Sequence, residues 1–141
     1  MSRATTIADR IASAFNAGDV DQFAACFRED AVQLHPFFPE PLVGRTAIRN
    51  AEAGLFGAFD QITMSVLDIV DGGDKVALEL RVTAVNSGPI PMPDGSTIPS
   101  TGRSVDLTMA AVLLLDDDGQ IVTSHRYQDN LGFLRSLGLV P

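Results

Sequence analysis

Cysteine occurs once in the 141 residues, tryptophan not at all, and tyrosine once. A single thiol, Cys26, leaves no intramolecular disulfide and no cysteine-built metal site to consider. Histidine is almost as scarce. His35 and His125 lie far apart in the chain, with no HExxH pairing, so no metal site is expected. Basic residues are outnumbered, with Lys+Arg 10 against Asp+Glu 18 and a formal net charge of −8. Such a balance repels a phosphate backbone and an anionic lipid surface, which excludes nucleic acid and membrane as expected partners. No apolar run approaches the roughly 18 residues a membrane span needs. The opening MSRATTIADR has no signal-peptide core, so a cytoplasmic location is expected. Neither a Gly-rich strand-to-helix loop nor a GxSxG elbow is present, which removes the usual phosphate, dinucleotide and serine-hydrolase readings.

Hydrophobic residues at 45% and charged residues at 20% match an ordinary globular chain, and the length suits one domain over 1–141. Three helical patterns open it. Ile7, Ile11, Ala14 and Phe15 make one apolar stripe, ended by Asn16-Ala17-Gly18. Asp19 reads as an N-cap for a second stripe of Val20, Phe23, Ala24 and Phe27. A third helix starts near Thr46 and buries Ile48, Ala51, Leu55, Phe56 and Phe59, while Ala31 to Pro36 reads as a short strand before it. The second half then changes period. Ile62 to Val70 forms a strand ended by the turn signal Asp71-Gly72-Gly73-Asp74. Leu78, Leu80, Val82 and Ala84 alternate with polar or small neighbours, as do Val105, Leu107, Met109, Ala111 and Leu113. Asp116-Asp117-Asp118-Gly119 turns the chain into a strand from Gln120 to Gln128. A last helix fits Asn130 to Leu137, with Asp129 as cap and Gly138 as stop. Gly88 to Arg103 holds four of the eight prolines and three glycines, and reads as a long hairpin loop over a cavity mouth. Helices, then a mostly antiparallel sheet, then a helix define an α+β fold.

Few residues in this pattern carry chemistry. His35 ends the short strand before Pro36, where a strand opens into a loop, and a histidine there can act as general acid or base. The competing reading is a histidine bonded to the loop. Along the last strand, alternation separates Ser124, Arg126 and Gln128 from His125, Tyr127 and Asp129. Either triplet would give a cavity wall polar groups. Asp129 also suits a helix cap, and the two roles are compatible. Residues 116–118 lack the ligand spacing of a calcium loop and read as a solvated turn.

Four segments, in order along nearly the whole chain, resemble one superfamily. Ala14-Phe15-Asn16-Ala17-Gly18-Asp19-Val20-Asp21 is similar to the "alNaGDld" bend of nuclear-transport-factor-2-like proteins. Phe27-Arg28-Glu29-Asp30-Ala31-Val32 resembles their "lFadDAv", and Val43-Gly44-Arg45-Thr46-Ala47-Ile48 their "-G-aaI". The tail from Asp129 to Leu139 is similar to the "D---llrqLGl" ending of the SnoaL-like branch. The resemblance implies a cone: N-terminal helices packed on a strongly curved, mostly antiparallel sheet that encloses a pocket. It also implies dimerisation through the outer sheet face, no cofactor, and a small apolar ligand. Enzymes of the group isomerise, cyclise or dehydrate by proton transfer.

Carried over residue by residue, the resemblance has gaps. His35 stands where ketosteroid isomerases have their general-base aspartate, but Ile11 and Ala111 replace their two oxyanion donors. Loss of one such donor typically costs about 10²–10³ in rate, so steroid isomerisation is not expected. The acid–base aspartate of SnoaL-like cyclases falls on Arg126 in an ungapped register, and a second aspartate on Asp129. That register turns Ser124, Arg126 and Gln128 inward, whereas a one-residue bulge would turn in Tyr127 or Asp129. The implied pocket is lined by Ile11, Phe15, Phe27, Phe56, Leu107, Met109 and Ala111, with His35 as proton carrier and Arg126 holding a substrate oxygen. Three readings stay open: a proton-transfer enzyme acting on a small apolar cyclic or polyketide-like molecule, a non-catalytic carrier of an apolar ligand, and a dimeric interaction module whose cone is filled by its own side chains.

Overall fold

The computed structural model describes residues 2–141. Helix α1 (Arg3–Ala17) begins at Ser2, whose side chain accepts a hydrogen bond from the Thr5 N–H, and ends at Gly18 with φ +62, a left-handed position suited to glycine. Asp19 caps the short α2 (Val20–Ala24) by accepting from the Gln22 N–H. Strand β1 (Phe27–Leu34), β2 (Leu42–Val43) and helix α3 (Arg45–Ala58) follow. The long strands β3 (Phe59–Gly72) and β4 (Lys75–Asn86) come next. A small hairpin of β5 (Ile90–Pro91) and β6 (Thr97–Ile98) precedes β7 (Ser104–Leu115), β8 (Ile121–Gln128) and helix α4 (Asn130–Ser136).

Six strands form one sheet in the order β2-β1-β8-β7-β4-β3, antiparallel throughout except for the parallel β1–β8 pair. This is the expected α+β, mostly antiparallel architecture. Alternation along β4 and β7 puts Leu78, Leu80, Val82 and Ala84 against Val105, Leu107, Met109, Ala111 and Leu113 on one buried face. Helix α1 closes that face with Ile7, Ile11, Ala14 and Phe15. The sheet bends where its ladders are interrupted. In β3 the register shifts between Asp60 and Thr63, around Gln61 at φ +52. Just beyond it, the Asn16 amide donates to the Met64 carbonyl and accepts from its N–H, covering the exposed side of this edge strand. The asparagine of the bend between the helices therefore ties α1 to the sheet.

Several boundaries differ from the sequence reading. Phe27 belongs to β1 and not to the second helix, because it pairs with Ile121 of β8. Residues 28–31 then bulge before pairing resumes at Val32 and Thr123, and the charges of Arg28-Glu29-Asp30 hid the strand's pattern. The strand also stops at Leu34, since Pro36 lacks the N–H needed to continue pairing. Phe59 opens β3 opposite Asn86 and does not end α3. Within the expected loop 88–103 lies the β5–β6 hairpin.

That segment is held at its base by one side chain. Asn86 is 0% exposed; its amide donates to the carbonyls of Ala58 and Gly88, and its oxygen accepts from the N–H and hydroxyl of Thr101. Both ends of the 87–103 arm thus hang from one amide group. Asn86→Ala is expected to lower stability by about 1–3 kcal/mol, because buried donors and acceptors lose their partner. Hydrogen exchange should accelerate first in residues 87–103; protection unchanged there would remove Asn86 as the anchor.

Candidate functional site

The inward face of β8 carries Ser124, Arg126 and Gln128, opposite the face of His125, Tyr127 and Asp129. A bulge does occur in this strand, where pairing passes from Leu115–Ile121 to Leu114–Thr123, but it lies before Ser124. The alternation beyond it is therefore undisturbed. Arg126 pairs across the ladder with Ala111, whose methyl group leaves the guanidinium room inside the cone.

A buried guanidinium needs compensating charge, and it comes from a residue absent from the sequence-level candidates. Glu52, 1% exposed, sits in the middle of α3 with Oε1 accepting from Arg126 Nη2 at 3.1 Å. The His35 ring completes the cluster, with Nε2 2.8 Å from Arg126 Nη1 and 3.7 Å from Glu52 Oε2. Its Nδ1 accepts from the Phe37 N–H at 3.1 Å, and the Phe37 and Phe38 rings pack on it. A neutral imidazole carries one proton, so Nδ1 and Nε2 cannot both accept. With its proton on Nε2 the ring keeps the Phe37 bond but sets an N–H against the Arg126 N–H; with the proton on Nδ1, Nε2 accepts from Arg126 and the Phe37 bond is given up. Glu52 Oε2, at 3.7 Å from Nε2, is too far for a hydrogen bond and has no partner.

Burial by itself pushes the Glu52 carboxyl up, but the Arg126 charge and then the nearby His35 ring outweigh it and bring it down to about 2. Burial, followed by the Arg126 charge, pushes His35 below its ordinary value, only partly offset by Glu52. At neutral pH the cluster is therefore a carboxylate, a guanidinium and a neutral imidazole, with no net charge.

Around this cluster the cone is narrow. Glu52 and Arg126 border an apolar space of about 70 Å³ lined by Phe15, Phe56, Leu107 and Met109, with Gln128 at its rim. Deeper, Ile11, Phe27, Ala111 and Ser124 surround only about 20 Å³. Edge-to-face packing of Phe15 with Phe23 and Phe56, and of Phe23 with Phe27, fills that closed end. His35 borders neither space. Its side chain, fully buried, lies beneath an outer groove that Arg126 also borders.

Two sequence candidates lie elsewhere. Tyr127 is 50% exposed and stacks on His125 at 4.0 Å, with its hydroxyl 2.8 Å from His125 Nδ1. Asp129 is exposed and caps α4, accepting from the Gly132 N–H at 2.9 Å. Neither reaches the cone. Glu52 did leave a trace in the sequence. It stands four residues after Ile48 and four before Phe56, a carboxylate on an otherwise apolar stripe.

A curved sheet closed by helices, with one ionic cluster on the wall of an apolar interior, defines a cone-fold pocket protein. The SnoaL-like domain model matches residues 8–124, and the chain belongs to that family. A search of the curated proteins finds no match. Among solved structures, TsrD from Streptomyces laurentii is similar at 21% identity and a TM-score of 0.81, over 98% of this chain and 96% of that one. A putative SnoaL-like polyketide cyclase from Jannaschia sp. CCS1 is 19% identical with a TM-score of 0.80, covering 99% and 94%. A ketosteroid-isomerase-like protein from Catenulispora acidiphila DSM 44928, solved with trimethylamine, is 17% identical with a TM-score of 0.77, covering 95% and 93%. At these identities the likeness extends to the fold alone. Among the described residues, no helix is long and apolar enough to cross a membrane.

Arg126→Met is expected to lose about 3–5 kcal/mol, because it strands the Glu52 carboxylate in the interior. Adding Glu52→Leu should recover most of that loss. Urea midpoints of the two single variants and the double variant measure the coupling, and strictly additive losses would mean that the pair does not interact.

Proposed function

We propose that the chain is a cofactor-independent proton-transfer enzyme, an isomerase, cyclase or dehydratase, acting on a small, neutral, mostly apolar molecule that carries an oxygen function. The observation that carries this reading is Glu52 Oε2: ionised, buried and unpartnered, on the cone wall beside Arg126. A buried acceptor without a partner is costly, and a ligand that presents a proton to it removes that cost.

Two N–H donors of Arg126 face His35 and Glu52, and a guanidinium has five. A remaining donor can hold a carbonyl oxygen while Glu52 Oε2 takes a proton from the adjacent carbon. The carbon–hydrogen electron pair moves into an enolate whose oxygen Arg126 stabilises. The Glu52 proton then returns to a different carbon, giving isomerisation, or goes to a departing β-hydroxyl, giving dehydration. Alternatively the enolate carbon attacks a second carbonyl of the same molecule, whose oxygen takes the proton, giving cyclisation. An oxygen that draws the guanidinium toward itself weakens its hold on Glu52, so the carboxylate becomes more basic as the ligand seats. His35 holds the guanidinium as a positioning residue. Because the cluster is neutral, an anionic ligand gains little from Arg126 that Glu52 does not cancel.

In a solution of 2-butanone in D₂O, the wild type should speed deuterium exchange at the carbons beside the carbonyl, read by proton NMR. Glu52→Gln keeps an acceptor for Arg126 and should slow that exchange about 10²–10⁴-fold. The low carboxyl value, which makes Glu52 a weak base, favours a non-catalytic carrier as the second reading. Binding of the ketone with no exchange above buffer would select the carrier.

The family resemblance also supports a homodimer through the outer sheet face, where Glu79, Arg81 and Thr108 stand exposed. Light scattering at micromolar concentration should give twice the chain mass; a monomer would overturn the dimer.

A further inference from the structure

An apolar space roomier than the one beside the cluster lies outside the cone. A chamber of about 270 Å³ opens between α3, the β5–β6 hairpin and α4, against about 70 Å³ beside Glu52 and Arg126. For scale, a dry cavity of roughly 150 Å³ holds one benzene ring. The space beside the cluster therefore admits a small polar head and not a ring, whereas the outer chamber admits a ring or a chain of several carbons.

The two spaces are neighbours. Phe37, Leu55 and Phe133 border both, with Phe37 and Phe133 ring centres 5.3 Å apart. Three apolar side chains, from the β1–β2 connection, α3 and α4, are what separates them. Beyond this partition the walls are Ala51 and Gly54 on one side and Ile90, Pro91 and Ile98 on the other. Among the described residues, no charged side chain borders the chamber. Asn130 at its edge is already committed, donating to the Pro36 carbonyl and accepting from Gln128.

The chamber roof is positioned by the fold. A Cβ at Gly54 would come within 2.8 Å of Pro91 Cγ, so the absent side chain lets the hairpin seat directly on α3. Asn86 holds the base of the same arm.

We propose that the site has two compartments. The cone takes only the oxygen-bearing head of a neutral molecule, at Glu52 and Arg126, and the apolar body lies in the chamber under the 90–98 hairpin, passing between Phe37, Leu55 and Phe133. The assignment of the head rests on the reading under Proposed function, whereas that of the body rests on the chamber and its shared wall. The substrate class is then an elongated apolar molecule with its carbonyl or hydroxyl at one end.

A series of straight-chain methyl ketones from 2-butanone to 2-nonanone tests this by calorimetry or ligand-observed NMR. In the wild type, affinity should rise about fourfold per added methylene until the chamber is full. Ala51→Trp and Ile98→Trp fill the chamber from opposite walls, and neither position borders the space beside Glu52 and Arg126. In both, long ketones should fall back to the affinity of 2-butanone, while 2-butanone itself binds as in the wild type, which also reports an intact cone. An affinity independent of chain length, or a length dependence that survives both tryptophans, overturns the two-compartment site. If the length dependence appears as expected and no ketone exchanges deuterium, the proton-transfer reading fails and the chamber assignment stands.

Discussion

A guanidinium on the concave face of a sheet cannot stand alone, and much of this molecule's organisation follows from that constraint. Arg126 projects from β8, an interior strand flanked by β1 and β7, and is 8% exposed beside a mostly apolar space. Its charge has to be met by protein, and Glu52 meets it from α3. The helix layer and the sheet are thereby joined by an ion pair as well as by apolar contact, and α3 is held in one rotational setting over the cone. His35 extends the cluster to β1 through its contact with Arg126. Such a pair is not a large net source of stability, because both charges are taken out of water. What it supplies is definition: a fixed polar point on a wall where everything else is apolar.

Curvature determines how much room surrounds that point. Three ladder irregularities, around Gln61 in β3, in β1 and in β8, sit where strands of this kind bend. The closed end is then filled by phenylalanines from α1, α2, β1 and α3. A self-filled tip and an open mouth place the useful volume near the rim, beside α4 and the hairpin arm. This arrangement combines two of the readings weighed for the sequence, since the deep cone is packed by its own rings while its mouth retains a polar cluster and an adjoining chamber.

The charged residues of this chain stand elsewhere than in the SnoaL-like cyclase pattern that its sequence resembles. The last strand presents a cation where SnoaL-like cyclases place a carboxylate, and the carboxylate appears instead on α3. The histidine that follows β1 is buried against the cation and Glu52. A carboxylate and a guanidinium thus stand adjacent, supplied by different elements, and that placement is physically permitted because charge balance depends on distance and burial rather than on which segment carries each group.

The fold was legible in the chain because it depends on short-range periodicity. The stripe Ile7, Ile11, Ala14, Phe15 and the alternation of residues 78–84 and 105–113 report which face of each element is buried, and capping residues such as Asp19 and Asp129 mark where helices begin. The same period-two rule separated Ser124, Arg126 and Gln128 from His125, Tyr127 and Asp129, but did not tell which set faces inward, which only the family resemblance favoured. Boundaries at Phe27 and Phe59 were not legible, because strand pairing with Ile121 and Asn86 overrode a helical stripe that sequence alone continues. Glu52 broke the apolar stripe of its helix visibly, yet its meaning depended on a partner 74 residues away. Sequence by itself therefore determined the elements, their buried faces and the family. Only the tertiary structure decided that Glu52 pairs with Arg126 beside His35, that Tyr127 and Asp129 stay outside the cone, and that a roomier apolar space lies beyond it. Those outcomes depend on which distant side chains curvature brings within a few ångströms, a quantity no local pattern encodes.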